Sequence, residues 1–164
     1  MAAAGYFFVQ QTKKIIECDA KRALLELKVA QQSEASKLLT PIKLQAYERL
    51  MMFLERIKPE NLVMRCYQHG MTTSLLKDVM LKNVRDEFDY NLSQQLYVSQ
   101  PSWARVKQAK EEIIALINSV SSSMAEKVLS PTEFSALIFE KNTSFASPVE
   151  QAQDSLKKDI DSLK

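Results

Sequence analysis

TSLLKDVMLKNVRDEFDYNLSQQLYVSQPSWARVKQAKEEIIALINSV, residues 73–120, decides the fold. Every fourth residue of its first half is apolar: Leu76, Met80, Val84, Phe88, Leu92 and Leu96. That spacing builds one face of an α-helix; a strand would alternate instead. After Pro101 the apolar positions are Trp103, Val106, Ile113, Ile117 and Val120, again at helical spacing. Val98-Ser99-Gln100-Pro101 is a short connection, and short connections make antiparallel helical neighbours. The pattern predicts helices over 73–98 and 101–120, forming the hairpin around which a bundle assembles.

Working outward, the prolines supply the punctuation. Ser130-Pro131-Thr132-Glu133 and Ser147-Pro148-Val149-Glu150 are capping boxes with proline at the first helical position. Thr40-Pro41 and Lys58-Pro59 read as helix starts in the same way. The expected elements are a helix from Phe7 to Leu39, a second from Pro41 to Ile57, and a third from Pro59 to Gln68 stopping at Gly70. Two short helices after Pro131 and Pro148 close the chain, and Met124 to Leu129 continues the helix before them if Ser121-Ser122-Ser123 only bends it. Only 2 glycines occur among 164 residues, so few turns need positive φ and a many-stranded β fold is excluded. The fold class expected is all-α, a helical bundle with a long N-terminal helix. Residues 1–39 form an apolar N-terminus and stalk-like helix, and residues 40–164 form the bundle domain.

Charge narrows the function classes. The 22 basic and 20 acidic residues intermingle, giving a net charge of +2, which does not suit a nucleic-acid binder with a concentrated basic face. Two glycines leave no room for a glycine-rich phosphate loop, and no nucleophile pattern accompanies the single histidine. Cys18 and Cys66 fit no metal or redox spacing, so free thiols in a reducing compartment are expected, with one disulfide as the alternative. No cofactor is expected.

Residues 86–103 concentrate carboxylates, amides and aromatics. Asn91, Gln94 and Gln95 sit three and four apart beside apolar Leu92 and Leu96, and buried amides must find hydrogen-bond partners. With Gln45 they are expected to form a polar seam that fixes helix register. The alternative is a metal site or hydrolase centred on Asp86, Glu87 and Asp89 with His69. Helix-borne carboxylates can hold a divalent ion, but the Glu-x-x-His pair of helical di-metal sites is missing. Tyr97 and Trp103 are expected to anchor the helical turn.

At the N-terminus, Ala2 to Val9 is apolar and Gln10-Gln11-Thr12-Lys13-Lys14 is polar and basic. Eight helical residues span about 12 Å against about 30 Å of hydrocarbon, so this run by itself does not cross a membrane. Its aromatic cluster followed by lysines has the character of the cytoplasmic end of a membrane helix. A narrow apolar line, Ile16, Ala20, Ala23, Leu27 and Ala30, offers a protein partner or a second copy a surface.

Two blocks carry a resemblance: Leu44-Gln45-Ala46-Tyr47-Glu48-Arg49-Leu50 running on to Phe53-Leu54-Glu55-Arg56-Ile57, and Glu87-Phe88 followed by Asn91 to Ser99 and Trp103. Over about residues 40 to 120 the chain resembles an uncharacterised family of small Bacteroidota proteins. The resemblance implies an N-terminal membrane helix, a helical cytoplasmic domain and no assigned activity. The chain departs from the pattern in having at most Ala2–Val9 of the membrane helix, and in Tyr90, where relatives carry histidine. Together these readings predict a non-catalytic interaction or scaffold domain at the cytoplasmic face of the inner membrane, or else a soluble cytoplasmic one.

Overall fold

The computed structural model describes residues 2–123, 129–142 and 147–162, without the side chains of residues 2–12, 15 and 35. Among the described residues there is no strand. The elements are α1 (Ala2–Ile57), α2 (Pro59–Cys66), α3 (Thr73–Tyr90), a 3-10 helix (Leu92–Leu96), α4 (Gln100–Ser122), α5 (Pro131–Asn142) and α6 (Pro148–Asp161). The chain is an all-α helical bundle protein. It divides into two units, Met1–Ile42 and Lys43–Lys164.

Four of the prolines act as helix starts. Ser99 and Ser147 cap α4 and α6, their hydroxyls accepting the amides of Ser102 and Glu150. At α5 the capping box is reciprocal: Ser130 N donates to Glu133 Oε2 at 2.8 Å and Glu133 N donates to Ser130 Oγ at 3.3 Å. Pro41 is the exception. The expected break between Leu39 and Pro41 does not occur, and α1 runs on through the proline. An interior proline forfeits one backbone hydrogen bond.

The helix expected over 73–98 is shorter than its apolar pattern. α3 ends at Tyr90, Asn91 caps it, and a 3-10 helix follows. Leu76, Met80, Val84 and Phe88 are buried, whereas Leu92 and Leu96 are exposed. A 3-10 helix turns through about 120° per residue, which carries the last two leucines off the stripe. Gly70 serves a turn in which Met71 N donates to Gln68 O. It has φ of +83°, a conformation glycine adopts without strain. The helix before it ends earlier, at Cys66. Of the continuation expected over Met124 to Leu129, residues 124–128 lie outside the described residues.

In the Lys43–Lys164 unit the core draws on every α-helix. Leu50, Phe53 and Leu54 of α1 pack in one cluster with Leu62, Met80, Val106, Ile117, Phe134 and Leu156. α4 packs against α3, α5 and α6, most extensively against α6. Phe88 of α3 stacks on Trp103 of α4, with ring centroids 5.4 Å apart and planes inclined by 21°. Burial of each large apolar side chain contributes about 1.5–3 kcal/mol, so the unit has the core its length permits.

Candidate interaction surface

The amides expected to form a seam do not meet. Asn91 and Gln94 are buried, but Gln45 and Gln95 are exposed. Asn91 Nδ2 donates to Glu87 O at 2.8 Å, one turn back in its own helix, and Gln94 Nε2 donates to the neighbouring Ser93 Oγ at 3.2 Å. Among the described residues no hydrogen bond joins any of the four to another helix. The hydrogen-bonding need was real, and local partners met it: an asparagine at a helix end satisfies its amide most cheaply on the backbone beside it.

Two of the three carboxylates are held by cations. Asp86 pairs with Lys82 one turn earlier. Glu87, with only 17% of its side chain exposed, accepts from Arg56 of α1 at 2.8 Å and Arg65 of α2 at 2.9 Å. Asp89 and His69 are both exposed. Among the described residues no three His, Cys, Asp or Glu side chains are grouped so as to hold a metal ion. Cys66 is buried and Cys18 exposed, both as free thiols. Burial pushes the Cys66 thiol up, against a smaller opposing effect of Arg65.

Further polar contacts between helices lie around α6. Asp159 Oδ2 accepts from Tyr47 Oη and from Ser99 N, each at 3.3 Å, tying α6 to α1 and to the cap of α4. Ser102 and Ser155 share a hydrogen bond of 2.8 Å. Gln153 donates to Glu55, and bonds from Lys58 and Gln153 hold the Glu55 carboxyl below its ordinary range. Tyr47, Met51, Met52, Glu55 and Ile160 line an open groove of about 540 Å³ between α1 and α6. None of these residues was singled out by its charge or spacing as a polar contact.

Burial, with the Asp159 charge, raises the Tyr47 hydroxyl to about 12. In the unfolded chain a tyrosine ionises near 10. Below that pH both states are neutral and the fold is unaffected. Between about 10 and 12 only the unfolded chain ionises, so stability falls as pH rises, by about 2 kcal/mol at the upper end. Tyr47→Phe removes that loss. Its stability, measured by denaturant melts from pH 8 to 12, is expected to lie about 1 kcal/mol below the native protein at pH 8 for want of the hydrogen bond. The two curves are expected to converge and cross as pH approaches 12. Parallel curves would show that Tyr47 ionises freely.

In the Met1–Ile42 unit the described side chains from Lys13 to Leu39, and Pro41 and Ile42, are exposed, and Thr40 partly so. They include Ile16 at 66% exposure, Leu24 at 53%, Leu27 at 57% and Leu38 at 73%. The unit carries 6 basic and 4 acidic residues, so the whole net charge of +2 resides in it. Two ion pairs lie along its surface, Arg22–Glu26 and Lys37–Glu34. Among the described residues no helix is long and apolar enough to cross a membrane. The membrane helix implied by resemblance is therefore not found there: charged and amide side chains from Gln10 onward cut the apolar run short.

No curated protein and no solved structure matches the chain. One family model does, over residues 1–163, and it spans both the exposed helix and the bundle. The chain belongs to that family, DUF7935, a family of unknown function.

Proposed function

We propose that the chain is a non-catalytic helical interaction module that works at the cytoplasmic face of the inner membrane. The observation that carries the reading is the Met1–Ile42 unit, a helix whose described apolar side chains are exposed. Large apolar residues left in water along one element mark a surface that another molecule covers. The apolar stretch Ala2–Val9 followed by Lys13 and Lys14, and the net positive charge of this unit, suit an anionic leaflet on the cytoplasmic side. The resemblance to small Bacteroidota proteins with an N-terminal membrane helix supports the same placement. Glu87 and Asp86, the strongest members of the alternative catalytic set, are paired with Arg56, Arg65 and Lys82.

Fractionation of native cells tests the placement. The chain is expected to sediment with membranes at physiological salt. Retention through alkaline carbonate extraction would mean an integral anchor in the native protein; release by carbonate would mean peripheral attachment. Recovery in the soluble fraction at physiological salt would overturn the proposal.

A further inference from the structure

Thr40-Pro41 has the same make-up as Ser130-Pro131 and Ser147-Pro148, a hydroxyl residue followed by proline. At the two serines the chain starts a helix. Ser130 Oγ accepts the amide of Glu133 at 3.3 Å, and Ser147 Oγ accepts that of Glu150 at 3.4 Å. At Thr40 no helix starts, and Pro41 lies inside α1. Proline there has no N–H to give to the carbonyl of Lys37, and its ring crowds that carbonyl. Thr40, as the residue before a proline, is also disfavoured in helical backbone. The turn across residues 37–41 is therefore the weak turn of α1, and sharp bends in helices gather at such prolines.

The surroundings of that turn decide what its weakness does. Before it, the described side chains from Lys13 to Leu39 are exposed, so no burial holds them in line. After it, Pro41, Ile42, Leu44 and Gln45 are exposed, and burial begins only at Ala46 and Tyr47. A break at residues 37–41 thus removes no core contact. It also leaves a ready helix start behind. Pro41 suits the first position, and the Thr40 hydroxyl can accept the Lys43 amide as Ser147 accepts that of Glu150. The Lys43 amide, which an unbroken helix pairs with the carbonyl of Leu39, so exchanges one acceptor for another. We infer that residues 37–41 are a hinge: α1 opens there and restarts at Pro41 under a Thr40 cap, and the exposed helix before it changes direction while the bundle stays folded. The other four prolines obey the helix-start pattern, and a local rule broken at one place marks a working part. The hinge goes beyond the membrane placement proposed above and does not rest on it.

Spin-label distances in the purified full chain test the hinge, with unlabelled chain added so that only distances within one molecule are read. Labels on Cys18, which is exposed, and on Met52→Cys, at a position 60% exposed, span the turn. Labels on Cys18 and on Ser36→Cys, also exposed, stay before it, and Cys66 is buried and stays unlabelled. In a straight unbroken helix the long pair lies about 51 Å apart and the short pair about 27 Å apart. With Pro41 present, the long pair is expected to give a distribution at least about twice as broad as in Pro41→Ala and reaching to shorter distances. In Pro41→Ala it is expected to collapse to a single peak near the straight-helix value. The short pair is expected to be narrow in both chains. Equal widths for the long pair with and without Pro41 would overturn the inference. So would a short pair as broad as the long one, because the whole exposed helix would then bend rather than one turn. A chain that fails to sediment with membranes leaves the hinge standing, and a rigid turn leaves the membrane placement standing.

Discussion

Phe88→Ala is expected to cost about 4 kcal/mol, the largest effect of any single substitution proposed for this chain. The ring is 7% exposed and is held on three sides. Phe53 of α1 approaches it in a tilted geometry at 5.8 Å, Trp103 of α4 stacks on it at 5.4 Å, and Lys110 Nζ stands 4.4 Å from its centroid. Truncation removes the transfer free energy of the ring and leaves a cavity between three helices that cannot all close on it. It also forfeits the aromatic pair contributions, about 0.5–1.5 kcal/mol each. Set against a typical total of about 5–15 kcal/mol, this takes much of the stability of the bundle. Phe88→Leu, which keeps most of the volume, is expected to cost about half as much. Trp103 is the only tryptophan in the chain, so selectively excited tryptophan fluorescence reports its surroundings, this contact included. An unfolding free energy for Phe88→Ala within about 1 kcal/mol of the native value would mean that the stack is not part of the core.

The position of Phe88 was legible from spacing, and the reason shows how far such reading reaches. Leu76, Met80, Val84 and Phe88 recur at helical spacing and are buried, as are Trp103, Val106, Ile113, Ile117 and Val120. Periodicity reports which side of a helix meets the core as long as the helix keeps its pitch. At Asn91 the pitch changes, and the leucines that continue the pattern point to solvent. The signal was in the amides and serine of residues 91–95, side chains that compete with the backbone for its hydrogen bonds and so loosen an α-helix. Reading those amides as partners across helices gave them the wrong neighbours. Proline was equally two-sided. Its fixed φ suits a first turn and an interior turn alike, and the residues before it do not separate the cases: Leu54 to Lys58, before Pro59, contain no more of a breaker than the residues before Pro41.

Tertiary partners were beyond the sequence in a more basic way. Asp159 is sixty positions from Ser99 and over a hundred from Tyr47, and no local pattern announces that one carboxylate caps a helix and accepts a buried hydroxyl. The exposed face of residues 16–42 is the opposite case. Its thin apolar line is visible in the sequence, and only the structure shows that its described side chains are left exposed along with those on the other sides of the helix.

Glu87→Gln is expected to cost about 2–3 kcal/mol, and this substitution separates a structural carboxylate from a functional one. Glu87 of α3 joins two arginines from two other helices, Arg56 of α1 and Arg65 of α2, and Arg65 also donates to Arg56 O at 3.4 Å. Neutralising the shared carboxylate leaves two guanidinium groups side by side with no counter-charge. Breaking a fully buried pair this way costs about 3–5 kcal/mol. The arginine side chains are 48% and 29% exposed, so water recovers part of that and the lower figure applies. The same exposures rank the partners: Arg65→Gln is expected to cost about 1 kcal/mol and Arg56→Gln less. The double variant Glu87→Gln with Arg65→Gln is expected to be more stable than the sum of the two single losses, because removing Arg65 relieves the repulsion that Glu87→Gln creates. Denaturant melts of the four proteins at one ionic strength measure this directly. A carboxylate kept for catalysis or metal binding behaves oppositely: its neutralisation leaves stability unchanged or raises it. An unchanged midpoint for Glu87→Gln would therefore reopen the acidic segment of α3 as a site, and the expected loss identifies it as the ionic tie between α1, α2 and α3.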